Sequence, residues 1–429
     1  MTSYHIWTVG CQMNKADSER MGAGLEQLGL QWSQDPKDAD VIVLNSCVVR
    51  QQAEERVVGM LTSLKPWKQR FPDKTLALMG CMVGPKKDDL LKRYPYVDLF
   101  MQPQQFEPLI ELVGDKVGVD PDGCVGPFVP GSPSVTTHVP IIHGCDKFCT
   151  FCIIPYRRGR EISRSINELV QECKMLVARG VKEVTLLGQN VDSYGHDFEE
   201  PSDLANLLQS IHDDVPELSR IRFLTSHPND MSDKIIDAVA RLPHVMENIN
   251  LPFQAGNDEV LRNMKRGYTN AQYRELISKV RSTVPEVAIV TDLIVGFPGE
   301  TEEQFEDSVQ LIQDLRFDKV HVAMYSTRPN TFAQRKMVDD VTQEEKHRRL
   351  KVIEATQETI LSEINASYFG SVEEILVDGH NKGRWQGRTR TDKLVFFESE
   401  DAELGQLRKV RITKTTPWSL SGSLLTANP

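Results

Sequence analysis

The sequence lacks any apolar run long enough to cross a bilayer, although 40% of its 429 residues are hydrophobic. Its first residues, MTSYHIWTVGC, also lack the basic stretch followed by an apolar stretch that marks a secretory leader. From these absences we expect a cytoplasmic, globular chain with no membrane segment. Its length predicts roughly two or three domains.

Cysteine is scarce, and the chain has no net positive charge. Eight cysteines in a chain of this length are too few for a disulfide framework, and a reducing cytoplasm would leave them as thiols. Metal binding or catalysis is therefore the first role to consider. The formal net charge of −11 argues against indiscriminate binding to nucleic acid, but it leaves room for a local basic surface.

Three predicted strands near the N-terminus each end at a cysteine. They are HIWTVGC, DVIVLNSC and TLALMGC, and with the helical periodicity between them they predict a parallel βαβαβ sheet domain over residues 1–115. Cys11, Cys47 and Cys81, called here the N-terminal triad, are separated by 36 and 34 residues. Because parallel strands end at one edge of a sheet, where such sheets place ligands, we expect these thiols to converge.

The remaining chain changes pattern twice. Residues 116–136 are rich in Gly, Pro and Asp and predict a linker. Residues 137–367 repeat a strand and a helix six times, which predicts a partial (βα)6 barrel. Residues 368–429 show short strands separated by polar turns and predict a small β-barrel. Cys124 in the linker and Cys173 in a predicted helix have no partners nearby, so we expect both to be bystanders.

The segment GCDKFCTFC follows the first predicted barrel strand and carries Cys145, Cys149 and Cys152, called here the barrel triad. Three thiolates at CxxxCxxC spacing in one loop are close enough to hold one iron-sulfur cluster, with one iron left open. The alternatives are a zinc knuckle or buried structural thiols. Structural zinc normally has four ligands in paired spacings, and the nearest spare donor, His143, is off that pattern.

Several longer segments carry a family resemblance. They are GCDKFCTFCIIPYRRGREISR, LLGQNVDSYG, LPFQAGNDEVLRNMKRGYT and DLIVGFPGETEEQF, with GCQMN, NSCVVR and GCM nearer the N-terminus. Over nearly the whole chain they resemble the radical S-adenosylmethionine methylthiotransferase family, and GCQMN followed by DSE is most similar to its MiaB type. The resemblance implies an enzyme that adds a methylthio group to C2 of N6-isopentenyladenosine at position 37 of tRNA.

Two alternatives stay open at this stage. A related methylthiotransferase would act on threonylcarbamoyladenosine in tRNA or on a ribosomal-protein aspartate. A protein of another class would bind RNA and use its iron-sulfur clusters for structure or redox sensing. The first alternative differs in motif spelling, and the second would not cleave S-adenosylmethionine.

The resemblance also implies two 4Fe-4S clusters and S-adenosylmethionine as cofactors. The barrel triad would hold the cluster that cleaves S-adenosylmethionine to a deoxyadenosyl radical, which removes hydrogen from C2 of the adenine. The N-terminal triad would hold the cluster that carries the sulfur, unless its members are simply buried cysteines. An electron donor such as flavodoxin or ferredoxin would complete the system.

Cofactor contacts are also expected in loops that follow barrel strands, where barrel active sites form. The predicted cofactor-binding residues are Gly188, Gln189 and Asn190 after the second strand, Gln254 and Gly256 after the fourth, and Gly296 and Gly299 after the fifth. Loop geometry alone is the alternative explanation for them. His227 and Asp292 lie near the same rim, but we assign no catalytic side chain.

The expected partner is tRNA, bound through its anticodon loop by a monomer. Arg157, Arg158 and Arg160 follow the barrel triad and predict phosphate binding, unless some of them clamp carboxylates inside the barrel. The C-terminal segment resembles the TRAM domain, a small RNA-binding β-barrel. Within it, Trp385 is the predicted base-stacking residue and Arg388 a predicted RNA contact.

Overall fold

The structure is a computed structural model that describes residues 1–48, 51–119 and 128–425. Cys124 and part of the predicted linker lie outside the described residues. None of the helices in these ranges combines the length and the apolar character that a membrane span needs.

The N-terminal part is a five-stranded parallel sheet with the order β2-β1-β3-β4-β5. The strands are β1 (Ser3–Thr8), β2 (Gln31–Trp32), β3 (Val41–Ser46), β4 (Thr75–Gly80) and β5 (Leu99–Met101), and the helices are α1 (Gln12–Gln27), α2 (Gln51–Arg70), α3 (Asp88–Arg93) and α4 (Glu107–Val117). Every residue of β3 and β4 is buried, because alternate side chains enter separate apolar cores on the two faces of the sheet. The N-terminal triad follows β1, β3 and β4, which are neighbours.

The central part is a partial barrel of six parallel strands, as the repeating pattern predicts. Its strands are β6 (Thr136–Pro140), β9 (Glu183–Leu187), β10 (Arg220–Leu224), β11 (Asn248–Asn250), β12 (Ala288–Val295) and β13 (Lys319–Met324). They form two three-stranded sheets linked by a bridge from Ile221 to Val245. Within the described part of the chain, β6 and β13 do not pair, so the barrel is open on one side.

Helices cover the outside of this barrel and begin at side-chain caps. They are α6 (Ile166–Ala178), α7 (Leu204–Asp214), α8 (Asp233–Arg241), α9 (Asp258–Asn263), α10 (Asn270–Thr283) and α11 (Glu302–Leu315). Each of these six has a Ser, Thr, Asp or Asn cap that accepts a backbone N–H of the first turn. Shorter elements near the cysteine loop are β7 (Ile142–His143), α5 (Ile154–Arg158) and β8 (Ile162–Ser163), and α12 (Phe332–Lys336) and α13 (Gln343–Ala366) follow β13.

The C-terminal part is a closed five-stranded barrel that covers the amino end of the (βα)6 strands. Its strands are β14 (Val372–Asn381), β15 (Arg384–Arg388), β16 (Leu394–Glu398), β17 (Leu407–Thr415) and β18 (Leu420–Leu424). Arg222 donates from Nη2 to the Thr389 carbonyl at 2.8 Å, and Arg390 pairs with Glu247 at 2.6 Å. The opposite end, where the barrel strands finish, faces the N-terminal sheet.

Candidate active site

The N-terminal triad is assembled from three strand ends that polar side chains tie together. Asn14, in the first turn of α1, donates from Nδ2 to the carbonyl oxygens of Val9 and Ser46, both at 2.9 Å. Ser46 in turn donates from Oγ to the Met79 carbonyl at 2.6 Å and accepts from the Met82 N–H at 3.1 Å. These bonds hold the three cysteine-bearing turns in one place.

Close backbone approach and burial complete this triad. Gly10 has a φ of +125°, and a Cβ at this position would overlap the side chain of Cys47, so only glycine fits. Cys47 and Cys81 are buried, whereas Cys11 is exposed. Burial raises the pKa of the Cys81 thiol to about 11, Arg158 opposes this, and the thiolates of Cys47 and Cys11 add to it. The three sulfurs therefore lie close enough to interact.

The barrel triad lies in the single loop between β7 and α5. The loop begins at Gly144, which has a φ of +76° and no room for a Cβ beside the Arg160 carbonyl. Thr150 anchors the centre of the loop, because its N–H donates to the Met264 carbonyl at 3.1 Å and its hydroxyl to the Asn263 carbonyl at 2.8 Å. The CxxxCxxC segment is therefore held by close packing at its first glycine and by hydrogen bonds to the end of α9.

The donor chemistry of both triads fits iron-sulfur clusters. Burial raises the pKa of the Cys145 thiol to about 11 and that of the Cys152 thiol to about 12, so their thiolates need a bound cation. Three cysteine thiolates at one site are the ligand type that iron-sulfur clusters take in proteins.

One cavity of about 840 Å³ connects the two triads. Cys11 and Cys81 line one side, and all three members of the barrel triad line the other. Its size is within the range of pockets that hold drug-sized ligands. The cavity continues down the lumen of the partial barrel to Arg388 of the C-terminal barrel.

Four predicted cofactor-binding residues, Gly188, Gln189, Asn190 and Gln254, line this cavity. Three of them, the two glutamines and the asparagine, have a buried side-chain oxygen that finds no hydrogen-bond partner among the described residues. A buried polar atom without a partner costs about 1–3 kcal/mol. These oxygens therefore indicate that the cavity takes a polar ligand with hydrogen-bond donors.

His227 supplies a hydrogen-bond donor in the same wall, although its position in the sequence gave no ground for assigning it a catalytic role. The Asn229 N–H donates to His227 Nδ1 at 3.3 Å, which places the ring proton on Nε2. Burial first, and then Arg266 and Lys147, lower the pKa of His227 to about 2, so the ring is neutral. Its Nε2 is buried and has no partner within the described ranges.

Comparison with known proteins decides the family. Models of the radical SAM superfamily, of the uncharacterized protein family UPF0004 and of the TRAM domain match residues 139–312, 3–102 and 366–425. The tRNA-2-methylthio-N(6)-dimethylallyladenosine synthase of Roseiflexus sp. (strain RS-1) is 48% identical over 425 residues, covering 98% of this chain and 89% of the relative. The chain belongs to this family of synthases.

Two further similarities agree with this assignment. The synthase of the same name from Dehalococcoides mccartyi (strain CBDB1) is 48% identical and covers 99% of both chains. Among solved structures, the radical S-adenosylmethionine methyltransferase TsrM from Kitasatospora setae superposes with a TM-score of 0.58 at 15% identity. That match covers 88% of this chain and 79% of TsrM, and at such low identity it supports the fold alone.

The other three predicted cofactor-binding residues, Gly256, Gly296 and Gly299, do not line the cavity. A Cβ at Gly256 would overlap the backbone of α11, and one at Gly296 would overlap the Lys346 side chain. The Gly299 N–H donates to Asp340 Oδ1 at 2.7 Å. The close approaches that these glycines permit are to other protein segments, as the loop-geometry alternative expects, and cofactor contact there stays a prediction.

The arginines that follow the barrel triad, Arg157, Arg158 and Arg160, are called here the basic strip, and they lie in different environments. Arg158 is buried and pairs with Asp17 of α1 at 3.2 Å, so it clamps a carboxylate, but across the domain junction rather than inside the barrel. Arg157 lies against Gly84 of the N-terminal part. Arg160 is the exposed member, with 70% of its side chain accessible. Phosphate binding therefore fits Arg160 best.

Arg266 is a site residue that the sequence analysis missed. It is buried, and its Nη1 donates to Cys149 Sγ at 3.3 Å. Its Nε donates to the Tyr268 hydroxyl at 3.0 Å and its Nη2 to the Pro252 carbonyl at 3.3 Å. The signal for it was present, since Arg266 lies in the KRGYT end of a segment that carried the family resemblance.

The predicted RNA contacts of the C-terminal barrel also differ in environment. Trp385 is half-buried on the apolar core, and its Nε1 donates to the Ser399 carbonyl at 3.0 Å. Arg388 borders the end of the cavity that reaches the C-terminal barrel, and its Nη1 donates to Asp392 Oδ1 at 3.2 Å. Trp418, which the sequence analysis did not consider, is 61% exposed. It is therefore better placed than Trp385 for stacking on a base.

Proposed function

We propose that this enzyme adds a methylthio group to C2 of N6-isopentenyladenosine at position 37 of tRNA. The observation that carries the proposal is the single cavity between two cysteine triads, in a chain whose relatives at 48% identity are named for this reaction. The barrel triad and the N-terminal triad each hold one 4Fe-4S cluster. Together with S-adenosylmethionine, these groups supply reductive bond cleavage, hydrogen abstraction and sulfur donation when bound.

The residues of the chain bind and orient the reactants in this scheme. The oxygens of Gln189, Asn190 and Gln254 accept hydrogen bonds from amino and hydroxyl groups, and His227 Nε2 donates one. Because His227 is held neutral, it positions an acceptor atom without adding charge. The two triads face the same space, so a base held between them meets both without leaving the cavity.

RNA reaches this cavity as an extruded base, because the reacting carbon of a stacked adenine is inaccessible. The C-terminal barrel closes the amino end of the (βα)6 barrel, and the open side lies between β6 and β13. Lys319 and His321 on β13 are exposed and border the cavity there. The single-stranded anticodon loop is the part of tRNA that offers an unpaired adenosine to such an opening.

The same proposal covers the setting in which the enzyme works. It acts as a monomer, since one chain brings both triads to one cavity and needs no second copy to complete the site. Electrons come from an external donor such as flavodoxin or ferredoxin. A tRNA substrate favours the cytoplasm. The isopentenyl substrate is preferred over threonylcarbamoyladenosine or a ribosomal-protein aspartate because both relatives described above are named for it.

Mass spectrometry of tRNA nucleosides tests the function directly. Cells that lack the gene should lose the methylthio mark and accumulate N6-isopentenyladenosine, and the wild-type gene should restore the mark. A gene carrying Cys149→Ala should not restore it. An unchanged nucleoside profile in cells without the gene would refute the substrate assignment. The purified chain, reconstituted anaerobically, should contain about eight irons.

A further inference from the structure

Buried arginines from the barrel part of the chain lie beside both cysteine triads. One of them, Arg328, interacts electrostatically with Cys47 of the N-terminal triad, and two others have contacts that direct a donor at a triad. Arg266, after α9, lies at the barrel triad, and Arg158, the last residue of α5, lies at the N-terminal triad. The side chain of Arg158 is 2% accessible, and Arg266 is 6% exposed. Buried cations of this kind need anionic partners.

Two of the three nitrogen atoms of the Arg266 guanidinium bond to protein oxygens, and the third is left to donate to the cluster. Its Nε and Nη2 are directed at Tyr268 and at the Pro252 carbonyl, which fix the plane of the guanidinium. The remaining nitrogen, Nη1, lies 3.3 Å from the Sγ atom of Cys149. Because the guanidinium is rigid and planar, this donor has no other orientation available once the first two bonds are made.

Arg158 repeats this arrangement across the domain junction. Its Nη2 donates to Asn14 Oδ1 at 3.1 Å and to Asp17 Oδ2 at 3.2 Å, which fixes the guanidinium. Its Nη1 is buried and has no nitrogen or oxygen partner in the part of the chain that the structure describes. The residue borders the cavity together with Cys11 and Cys81. A fixed cationic donor is thus turned toward the sulfur atoms of the N-terminal triad.

We propose that Arg158 and Arg266 are paired positioning residues, each donating to sulfur of the cluster at its own triad and raising the reduction potential of that cluster. The inference rests on the proposed function, in that the triads must hold clusters. Hydrogen bonds and positive charge near cluster sulfurs stabilise the reduced form. The N-terminal cluster, whose ligands all precede residue 82, thereby depends on the barrel for this cationic hydrogen-bond donor.

The test isolates each cluster in the full-length chain. In a Cys145→Ala, Cys149→Ala, Cys152→Ala background, only the N-terminal cluster forms, and its midpoint potential is measured by a redox titration followed by electron paramagnetic resonance. We expect Arg158→Gln to shift this potential to more negative values, because one charge-assisted hydrogen bond is lost. Arg160→Gln, two residues away and exposed, is the matched control and should leave it unchanged.

The reciprocal experiment uses Ala at all three positions of the N-terminal triad. There, Arg266→Gln should shift the potential of the barrel cluster to more negative values, and the exposed neighbour Arg262→Gln should not. Arg158→Gln should have no effect in this background. Equal effects of Arg158→Gln in both backgrounds, or no shift with full iron content, would overturn the inference.

Iron content separates failure of the inference from failure of the proposed function. If neither background binds iron, the cluster assignment itself is wrong. If Arg158→Gln also loses iron, Arg158→Lys is measured instead, because it keeps the charge but loses the planar fork. We expect a smaller negative shift for lysine, and an unchanged potential at full iron content would overturn the pairing.

Discussion

The two triads present similar thiols to one cavity, but the chain builds them in opposite ways. The barrel triad occupies a single loop whose spacing already brings its members together. The members of the N-terminal triad follow three different strands, and only the parallel pairing of β1, β3 and β4 makes them neighbours. A cluster of cysteines can therefore be encoded by local spacing or by sheet topology, and only the first kind is visible as a motif.

The hydrogen bonds that hold the two triads in place also differ, in whether they come from one part of the fold or from two. Thr150 and Arg266 hold the barrel triad through contacts with the segment after α9, inside one part of the fold. Asn14 and Ser46 hold the N-terminal triad from its own strand ends, but Arg158 reaches it from the barrel. The triad that is assembled from distant sequence positions is thus also the one that depends on the domain junction.

The largest expected effect separates the chemical roles of the triads. Cys149→Ala should abolish both 5'-deoxyadenosine formation and methylthiolation, because S-adenosylmethionine cleavage needs the barrel cluster. Cys47→Ala should abolish methylthiolation but retain deoxyadenosine formation. Both products are measured by chromatography and mass spectrometry after anaerobic reaction with reductant. Cys173→Ala, buried in α6 outside both triads, is the control, and methylthiolation by Cys47→Ala would break the comparison.

Glycine substitutions test how each triad is built. The intact chain is expected to hold about eight irons, and Gly144→Ala and Gly10→Ala should each lose about half of them. Both positions have positive φ, and a Cβ would overlap the Arg160 carbonyl at Gly144 and the Cys47 side chain at Gly10. Gly180→Ala and Gly29→Ala also have positive φ but have no neighbouring atom within 4 Å. These controls should cost about 1–2 kcal/mol of stability and retain iron. Iron loss in the controls would show that backbone strain, and not overlap of the added Cβ, causes the loss of iron.

Two buried carboxylates near the cavity differ in their ionic partners, although burial raises the pKa of both. Asp17 has Arg158 as an ionic partner, whereas the hydrogen-bond partners of Asp192 among the described residues are the Ser226 hydroxyl at 2.8 Å and the His227 N–H at 3.0 Å. Burial raises the pKa of Asp192 to about 7 from 3.8, despite those two hydrogen bonds. The folded state therefore holds a proton that the unfolded state releases, and stability falls as pH rises from about 4 to about 7.

Asp192→Asn should remove this pH dependence and add up to about 4 kcal/mol at pH 7 and above. The measurement is urea unfolding of both proteins across this pH range, compared as a difference so that other titrating groups cancel. Asp233→Asn, with 69% of its side chain accessible on α8, is the control and should leave the curve unchanged. A difference that is constant with pH would show that Asp192 is ionised when folded.

The smallest effect concerns RNA and the exposed member of the basic strip. Arg160→Gln and Arg388→Gln should each weaken tRNA binding a few-fold and reduce the salt dependence of binding by about one ion. Lys234→Gln, with 75% of its side chain accessible, is the control. Filter binding at several salt concentrations measures both quantities. Unchanged affinity for Arg160→Gln would remove the distinction drawn between it and the buried Arg158.

The sequence by itself determined the parallel sheet, the six-fold strand and helix repeat, the small C-terminal barrel and both triads. These follow from periodicity, from short-range spacing and from the rule that parallel strands end at one edge. The same reasoning identified Gln189, Asn190 and Gln254, because loops after barrel strands line the cavity.

Only the tertiary structure decided the partners of the charged residues. Arg158 reads in the sequence as part of a basic strip, yet it pairs with Asp17, which is 141 residues away. Arg266 and Cys149 are 117 residues apart, and the unpaired Nε2 of His227 is visible only once its surroundings are packed. Burial and hydrogen-bond direction depend on which distant segments meet, and no local pattern of residue types records that.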